Sequence, residues 1–288
     1  MKGLFMLKRI LTFLTAAAVV MLGSCSRGGG IKYEYGVFLG ITSEDIEKTE
    51  GYRIIVIDAQ YFTKEQIEGL RQSGHTVYSY INIGSVEDFR PYYEKYEPLT
   101  LGVYENWEEE RWVDVSKPEW QSFILDELAP ELIEKGVDGF FVDNCDVYYN
   151  FPSEEIFGGV EDILRGLKAT GRYVSINGGD AFVTEYHKRN GDLDGIMDAV
   201  NQETVFSKIE WESSGFSANP ADEREYFQSY AEMVAGCGRD VYLLEYTTDP
   251  KLITKISEYC ADKGFRYYAA DKLELLIPDS SGGSQRVK

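Results

Sequence analysis

Short apolar runs recur along the chain, and most of them end in a polar or acidic residue. Between these runs lie longer segments in which apolar residues are spaced three and four apart. Apolar runs bounded by turn residues are typical of buried strands, whereas the wider spacing is typical of amphipathic helices. The pattern predicts eight strands, at residues 35–40, 52–58, 76–82, 139–142, 172–177, 195–203, 240–246 and 266–271.

Helix start signals lie between the predicted strands. Thr63 and Gln66 form a capping box, and Ser116 with Pro118 is typical of another helix start. Further helices are predicted at residues 153–170, 222–236 and 250–264. Strands that alternate with helices in this way form a parallel sheet, because each helix carries the chain back across the sheet.

Eight strand–helix units favour a closed barrel over an open doubly wound sheet. The predicted fold class is α/β, a single (β/α)8 TIM-like barrel over residues 35–278. No GxGxxG follows the first strand and no GxxxxGK precedes a Ser or Thr, so nucleotide-binding open sheets lose support. The tail at residues 279–288 is rich in serine and glycine, and we predict that it is disordered.

The N-terminus carries a targeting signal. Three bases at positions 2, 8 and 9 precede a thirteen-residue apolar run at 10–22, which is shorter than the ~20 residues of a membrane span. The run ends in Leu-Gly-Ser-Cys, which resembles a bacterial lipobox. We predict a lipoprotein signal peptide at residues 1–24, with lipidated Cys25 and a flexible tether at 25–34. The expected location of this exported lipoprotein is the outer face of the cell membrane; a plain secretory signal is the alternative.

The net charge of the chain narrows the range of binding partners. The formal net charge is −20 and becomes −23 without residues 1–24, which hold three bases and no acids. Nucleic acid is a poor partner for such a chain, whereas a neutral or cationic substrate is compatible with it.

The cysteines Cys145, Cys237 and Cys260 are odd in number and match no zinc or CxxC spacing. We therefore predict no disulfide framework, and a buried thiol at Cys145.

The predicted strands end in carboxylates and amides. These strand ends are Asp58, Asn82, Asp143, Asn177, Glu203 and Glu245–Tyr246. In a barrel, the carboxyl ends of the strands meet at the face where enzymes of this architecture place their chemistry. An unpaired carboxylate such as Asp143 is costly inside a buried strand, so we expect it at this mouth. The alternatives are that strands end where polarity begins, and that Asp143 caps the next helix.

A pair of catalytic carboxylates fits this ring of side chains best. The sequence has no Ser-His-Asp candidate and no HxH or HExxH motif, which disfavours triad hydrolases and zinc enzymes. It has no EF-hand spacing either, and we expect neither a cofactor nor a metal. Glycosidases use two Asp or Glu residues, with aromatic and amide side chains that orient the sugar.

A long connection at residues 86–112 is rich in tyrosine and glutamate. It contains Tyr104, Trp107 and Trp112. Connections of this length without periodicity are usually functional or disordered, and the clustered aromatics argue against disorder. In a carbohydrate enzyme these rings would be platforms for sugars. Packing over the top of the barrel is the alternative.

Several short motifs occur in order along the chain. They are YSYINIGSVEDFR at 78–90, WVDV at 112–115 with PEW at 118–120, GVDGFFVDNCDVY at 136–148, SINGG at 175–179 and VNQET at 200–204. Together they resemble glycoside hydrolase family 114, over roughly residues 35–275. That family contains endo-α-1,4-polygalactosaminidases on a TIM-barrel-like fold, so the resemblance implies this fold and this activity.

The resemblance also implies roles for single residues. Asp143 and Glu203 match the family's catalytic carboxylates on the fourth and sixth strands. We predict Glu203 as the acid and Asp143 as the base or nucleophile, with Glu245 on the seventh strand as the rival partner. The family's usual Leu-Asp-Thr-Val-Asp is Val-Asp-Asn-Cys-Asp here, which leaves the substrate subsites open. The other residues expected to bind substrate are Asp58, Tyr80, Asn82, Arg90, Asp146, Asn177, Glu245 and Tyr246.

The predicted function is endo-acting hydrolysis of a galactosamine-containing polysaccharide of the α-1,4-polygalactosamine type. Such a polymer is cationic when it is de-N-acetylated, which fits the acidic chain. The alternatives are a non-catalytic carbohydrate-binding surface lipoprotein and a glycosidase of different polysaccharide specificity. Whether the reaction retains or inverts the anomeric configuration depends on the carboxyl separation, ~5–5.5 Å or ~6.5–9.5 Å, which requires a structure.

Overall fold

Eight parallel strands form one sheet in a computed structural model that describes residues 30–213, 215–278 and 283–287. The predicted signal peptide, Cys25 and most of the tether lie outside these residues. The strands pair in chain order, and the first and last strands lie side by side without pairing, so the predicted α/β TIM-like barrel is confirmed as a nearly closed barrel. They are β1 (Tyr33–Val37), β2 (Tyr52–Ile57), β3 (Thr76–Asn82), β4 (Gly139–Asp143), β5 (Tyr173–Asn177), β6 (Ala199–Glu203), β7 (Asp240–Tyr246) and β8 (Arg266–Ala270).

Helices connect successive strands on the outside of the sheet. The longer ones are Lys64–Gln72, Glu154–Ala169, Asp180–Asn190, Ala221–Gly236 and Pro250–Lys263. A further helical stretch combines Pro118–Ser122, the π-helical Phe123–Leu128 and Ala129–Lys135. Short helices lie at Ile46–Gly51, Ala59–Tyr61, Tyr93–Tyr96, Glu97–Leu99 and Val147–Asn150. In the part of the chain that the structure describes, no helix has the length and apolar character to span a membrane.

Local signals placed most element boundaries to within a few residues. The capping box of Thr63 and Gln66 is present, and the Ser153 side chain caps the helix that begins at Glu154. Ser116 does not cap its helix, because its hydroxyl donates to Asp114 and the helix begins at Pro118. β6 begins at residue 199 rather than 195, since Gly195 takes a positive φ of 82° in the preceding turn.

The middle of β4 is buried on both faces. Phe140, Phe141 and Val142 are at most 1% exposed, whereas Asp143 at the end of the strand is partly exposed. The strand therefore delivers its carboxylate to the mouth of the barrel, as predicted. Asp143 does not cap the next helix: that helix begins at Val147 after Asp146, and no side chain caps it.

The C-terminal residues lie at the seam of the barrel, between β1 and β8. Arg286 forms an antiparallel bridge with Tyr33 of β1, and Ser284 forms one with Tyr268 of β8. The prediction of a disordered tail is therefore wrong for residues 283–287. The error arose because serine and glycine content gives no information about backbone pairing to distant strands.

Two insertions rise from the carboxyl ends of the strands. The long connection after β3 forms a three-stranded antiparallel sheet of Ser85–Glu87, Thr100–Tyr104 and Trp107–Val113. A hairpin of Ser207–Glu210 and Gly215–Ala218 follows β6, and the sequence did not predict it. Tyr104 stacks on Trp112 at 4.2 Å, so these two rings pack over the barrel, as the alternative interpretation held.

Candidate active site

A cavity of about 500 Å³ opens at the carboxyl ends of the strands, a size typical of small-molecule sites. Five of the predicted site residues line it: Asp143, Asp146, Asn177, Glu203 and Tyr246. The two insertions contribute most of the remaining wall, at residues 104–107, 109, 110, 209 and 211. Side chains from the strand ends and from the two insertions therefore line one cavity.

A single amide joins the two predicted catalytic carboxylates. The Asn177 side-chain nitrogen donates to Asp143 Oδ1 at 2.9 Å and to Glu203 Oε1 at 2.7 Å. The distance between these two oxygens cannot exceed the sum of the lengths of the two hydrogen bonds. This limit lies below the ~6.5–9.5 Å carboxyl spacing that leaves room for a water molecule in inverting enzymes.

A hydrogen-bonded chain across the barrel holds that amide in place. Tyr35 donates to Asn201 Oδ1 at 2.9 Å, and Asn201 Nδ2 donates to Asn177 Oδ1 at 2.7 Å. Because its oxygen is occupied by a donor, the Asn177 side chain must turn its NH2 group toward the carboxylates. Tyr246 completes the setting, since its hydroxyl donates to Glu203 Oε2 at 2.8 Å.

Burial raises the pKa of both carboxyls of the pair. Burial raises the pKa of Asp143 to about 7, with the charge of Glu203 as a further cause, while the Asn177 hydrogen bond opposes the rise. Burial also raises the pKa of Glu203, opposed by hydrogen bonds from Asn177 and Tyr246. Two adjacent carboxyls with raised pKa favour a pair that shares one proton near neutral pH, with one group protonated and the other ionised, which acid–base catalysis needs.

The backbone after β4 is held by a second polar cluster. Asn144 has a positive φ of 66°, and its side-chain nitrogen donates to Ser85 Oγ and Glu110 Oε1 at 2.9 and 3.2 Å. Tyr104 donates to Asn144 Oδ1 at 3.0 Å. The residue next to Asp143 is thereby tied to the insertion after β3.

Glu110 is a site residue that the sequence interpretation missed. It accepts from Asn82 Nδ2 at 2.9 Å and from Ser85 Oγ at 2.7 Å, and it lines the cavity. Burial raises its pKa to about 7, and Asp143 adds to the rise. A signal was present, because Glu110 shares the inward face of its strand with the buried Trp112 two positions later.

Asp58, Tyr80 and Arg90 lie beside the main cavity rather than in its wall. Arg90 is paired with Asp58 Oδ2 at 2.8 Å and with Glu87 Oε1 at 2.9 Å, and its side chain is 3% exposed. Tyr80 donates to Glu87 at 3.2 Å. All four residues line a smaller adjoining cavity, where the Arg90 charge is already matched by carboxylates.

Asn82 and Glu245 do not line the cavity, so the structure does not support direct contact with substrate for them. Asn82 donates to Glu110 and Ser85 instead. Glu245 is fully buried and accepts from the backbone nitrogens of Phe206 and Ser207. It precedes Tyr246, and neighbouring strand residues point to opposite faces. Glu245 therefore anchors the chain after β6, and an acid pair with Asp143 is not supported.

Asp146 enters the cavity on the side of β5. Its Oδ2 accepts from the backbone nitrogen of Gly179 at 3.1 Å. Burial raises its pKa to about 7, and Asp180 and Asp143 add to the rise. Cys145 beside it is buried, as predicted, and Cys145, Cys237 and Cys260 are free cysteines among the described residues.

The wall of the cavity is strongly acidic. Eight of its residues are acids, and none of the described residues that line it is a Lys, Arg or His. Among residues 30–213, 215–278 and 283–287, no three His, Cys, Asp or Glu side chains are grouped so as to hold a metal ion. The eight acids are Glu87, Glu105, Glu109, Glu110, Asp143, Asp146, Glu203 and Glu274.

Residues 28–279 match the sequence model of glycoside hydrolase family GH114. The chain belongs to glycoside hydrolase family 114. Its fold is similar to the glycoside hydrolase domain of PelA from Pseudomonas aeruginosa, with a TM-score of 0.72 and 16% identity over 88% of this chain and 99% of that one. It is also similar to Ega3 of Aspergillus fumigatus, solved in complex with galactosamine, with a TM-score of 0.67 and 17% identity over 88% and 96%.

A sequence relative of this family 114 chain occurs in an archaeon. The uncharacterized protein MJ1477 of Methanocaldococcus jannaschii is 31% identical in an alignment 123 residues long that covers 38% of this chain. The match spans 35% of that relative, so about a third of its length corresponds to the chain. At these identities the similarity to PelA and Ega3 concerns the barrel fold. Family membership rests on the match of residues 28–279 to the family model.

Proposed function

We propose that the protein is an endo-acting glycoside hydrolase that cleaves a galactosamine-containing polysaccharide and retains the anomeric configuration. The observation that carries this proposal is the pair Asp143 and Glu203, held within reach of one Asn177 amide in an acidic cavity. A pair this close leaves no room for the water that an inverting enzyme places between its carboxyls. Family 114 membership supports hydrolysis as the reaction class.

The reaction proceeds in two displacements. Asp143 attacks the anomeric carbon while Glu203 gives its proton to the glycosidic oxygen, which leaves with the bonding electron pair. Glu203, now ionised, takes a proton from water, and the resulting hydroxide displaces Asp143 from the sugar. The hydrogen bond from Asn177 stabilises the Asp143 carboxylate each time it is released.

The charge of the cavity supports an amino sugar as the substrate. The lining acids that are ionised at neutral pH, with no Lys, Arg or His among the described lining residues, attract a polymer that carries free ammonium groups. Ega3, which has a similar fold, was solved in complex with galactosamine. A de-N-acetylated α-1,4-galactosamine polymer combines the charge and the sugar, and we expect it to be cleaved faster than its N-acetylated form.

The direct test is release of reducing ends from partly deacetylated α-1,4-galactosamine polymer. We expect release by the wild type, and losses of about a thousandfold or more in Glu203→Gln and Asp143→Asn. Glu134→Gln is the matched control, because Glu134 is an exposed acid on the outer helix Ala129–Lys135. NMR of the first products should give the same anomer as the substrate.

The outcomes separate the candidate functions. Saturable binding without release of reducing ends would point to a carbohydrate-binding protein instead. Release of the opposite anomer would exclude the covalent intermediate on Asp143. Activity that is unchanged by added salt would exclude electrostatic attraction of the polymer, since 0.1 M salt screens the interaction of exposed charges that are more than about 10 Å apart.

We also propose that the protein is exported and anchored through lipid on Cys25. The support is the lipobox-like Leu-Gly-Ser-Cys after the apolar run, in a part of the sequence outside the described residues. Metabolic labelling with an alkyne fatty acid should mark the wild type and not Cys25→Ser. Labelling of neither chain would favour a plain secretory signal.

A further inference from the structure

The tips of the two insertions meet at the mouth of the cavity through two tryptophans. Trp107, from the sheet after β3, and Trp211, from the hairpin after β6, lie edge to face with centroids 6.0 Å apart and planes at 84°. Both rings line the cavity that contains Asp143 and Glu203. A barrier or platform at the mouth is therefore built from parts of the chain that are about a hundred residues apart.

These two rings are exposed in a way that core packing does not explain. Trp107 is 38% exposed and Trp211 is 44% exposed, whereas Trp112 and Trp120 are core residues. The contact between Trp107 and Trp211 is a single ring pair, which is a weak contact. Large aromatic rings left exposed beside a polar cavity are typical of surfaces that bind a ligand.

The two tips share a local pattern of an indole between carboxylates. Glu105 and Glu109 flank Trp107 and line the cavity with it, and Glu210 and Glu212 flank Trp211 in sequence. The left-handed φ of 68° at Asn106 makes the tight turn that brings Trp107 to the tip. An indole with carboxylates at its edge matches a sugar ring that has an apolar C–H face and an ammonium group.

We infer that Trp107 and Trp211, with Glu105 and Glu109, form a second sugar-binding site for a cationic hexosamine unit of the polymer, beyond the unit that is cleaved. An indole face stacks on the ring of that unit, and the carboxylates bind its ammonium group. The inference rests on the proposed function for the identity of the polymer. It adds a subsite that neither β4 nor β6 contributes.

The test measures binding in the background of Glu203→Gln, so that the ligand is not consumed. Titration uses α-1,4-galactosamine oligomers, either deacetylated or fully N-acetylated, with tryptophan fluorescence and calorimetry as readouts. We expect Trp107→Ala and Trp211→Ala each to raise the Kd for the deacetylated oligomer about tenfold. Trp107→Phe should keep most of the affinity, because the phenyl ring can still stack.

Leu101→Ala is the matched control. Leu101 lies on the same insertion and is 38% exposed, but it does not line the cavity, so its substitution should leave the Kd unchanged. The double variant Glu105→Gln, Glu109→Gln should bind the deacetylated oligomer more weakly and should bind the N-acetylated oligomer with unchanged affinity. Circular dichroism of every variant separates loss of binding from loss of fold.

The outcomes distinguish this inference from the proposed function. If the wild type releases reducing ends but the Trp107→Ala and Trp211→Ala variants bind as well as their parent, the second site is excluded and the enzyme remains. If the wild type releases none but binding depends on both tryptophans, the second site stands and the catalytic proposal fails. Equal affinity for deacetylated and N-acetylated oligomers would exclude the ammonium contact.

Discussion

At the scale of single residues, the site depends on how one amide is oriented. Asn177 donates to both Asp143 and Glu203, and Asn201 holds its oxygen. Both hydrogen bonds lower the pKa of the carboxyls they reach, against the rise caused by burial. The amide therefore sets both the separation of the pair and the pH at which the pair ionises.

Removing this amide should shift the pH dependence of the reaction. Asn177→Ala loses the donor that favours the ionised carboxyls, so the pKa of both should rise. The acidic limb of the kcat/KM profile should then move to higher pH, and kcat should fall about a hundredfold. Asn190→Ala, in the last turn of an outer helix, is the control. An acidic limb that stays in place would contradict this role of Asn177.

The raised pKa of Asp143 also makes the stability of the fold depend on pH. The pKa of Asp143 is about 7 in the folded protein and ~3.9 in an unfolded chain. Its stabilising contribution is thus fully present below pH ~3.9 and is lost as the pH rises through about 7. Asp143→Asn should remove this loss and raise the free energy of unfolding at pH 8 by about 1–3 kcal/mol.

Thermal unfolding of wild type and Asp143→Asn at pH 5 and pH 8 checks this prediction. The two melting temperatures should diverge at pH 8, with Asp143→Asn the more stable and the less active protein. The exposed-acid variant Glu134→Gln should follow the wild type at both values. Parallel pH dependence in Asp143→Asn and wild type would mean that Asp143 does not carry the effect.

At the scale of elements, the turn after β3 sets the position of the chain after β4. Asn82 is paired in register with Asp143, and Ile83 donates its backbone N–H to the Asp143 carbonyl at 3.2 Å. Gly84 follows, and a Cβ at this position would collide with the backbone carbonyl of Asn144. The close approach of the two turns requires a residue without a side chain.

Gly84→Ala should therefore destabilise the fold and disturb the site together. Relief of the collision has to move the backbone beside Asp143, which should cost about 1–3 kcal/mol and most of the activity. Gly69→Ala is the matched control, since Gly69 lies in the helix Lys64–Gln72 with open space around it. That substitution should stabilise by about 0.5–1 kcal/mol. Chemical unfolding and reducing-end assays measure both effects.

At the scale of the whole molecule, the C-terminal residues join the first and last strands. Glu34 N–H donates to the Gln285 carbonyl and Val287 N–H to the Lys32 carbonyl, both at 2.9 Å. Gln285 N–H also donates to the Tyr267 carbonyl at 3.5 Å. An edge strand exposes unpaired backbone groups, and these contacts satisfy several of them.

A chain that ends at Pro278 should be less stable. Three backbone hydrogen bonds at about 1 kcal/mol each, less the entropy of ordering the segment, predict a loss of about 1–3 kcal/mol. Arg286→Ala in the full chain should have little effect, because the bridge to Tyr33 is made by backbone atoms and the Arg286 side chain is exposed. Equal melting temperatures for the truncated and full chains would exclude a role at the seam.

The sequence by itself determined the strand–helix alternation and the acids at the strand ends. The spacing of apolar residues, which predicts strands and helices, is a pattern within a few neighbouring residues. The strand ends also located Asp143, Glu203, Asn177 and Tyr246, and the family resemblance added Asp146; the structure brings these five residues into one cavity. Asp143 lies at the mouth because the residues before it in the strand are apolar and buried on both faces, so the carboxylate falls where the strand ends. These features are local, and local patterns encode them.

Only the tertiary structure decided which polar residues meet. Asn201 lies opposite Asn177 and Leu244 lies opposite Glu203, and this register turns Tyr246 into the cavity and Glu245 away from it. The inward position of Glu110, the meeting of Trp107 with Trp211 and the seam at residues 283–287 depend on chain segments far apart in sequence. Their physical cause is the stagger of the strands and the path of the loops, which the hydrophobic pattern of one segment does not specify.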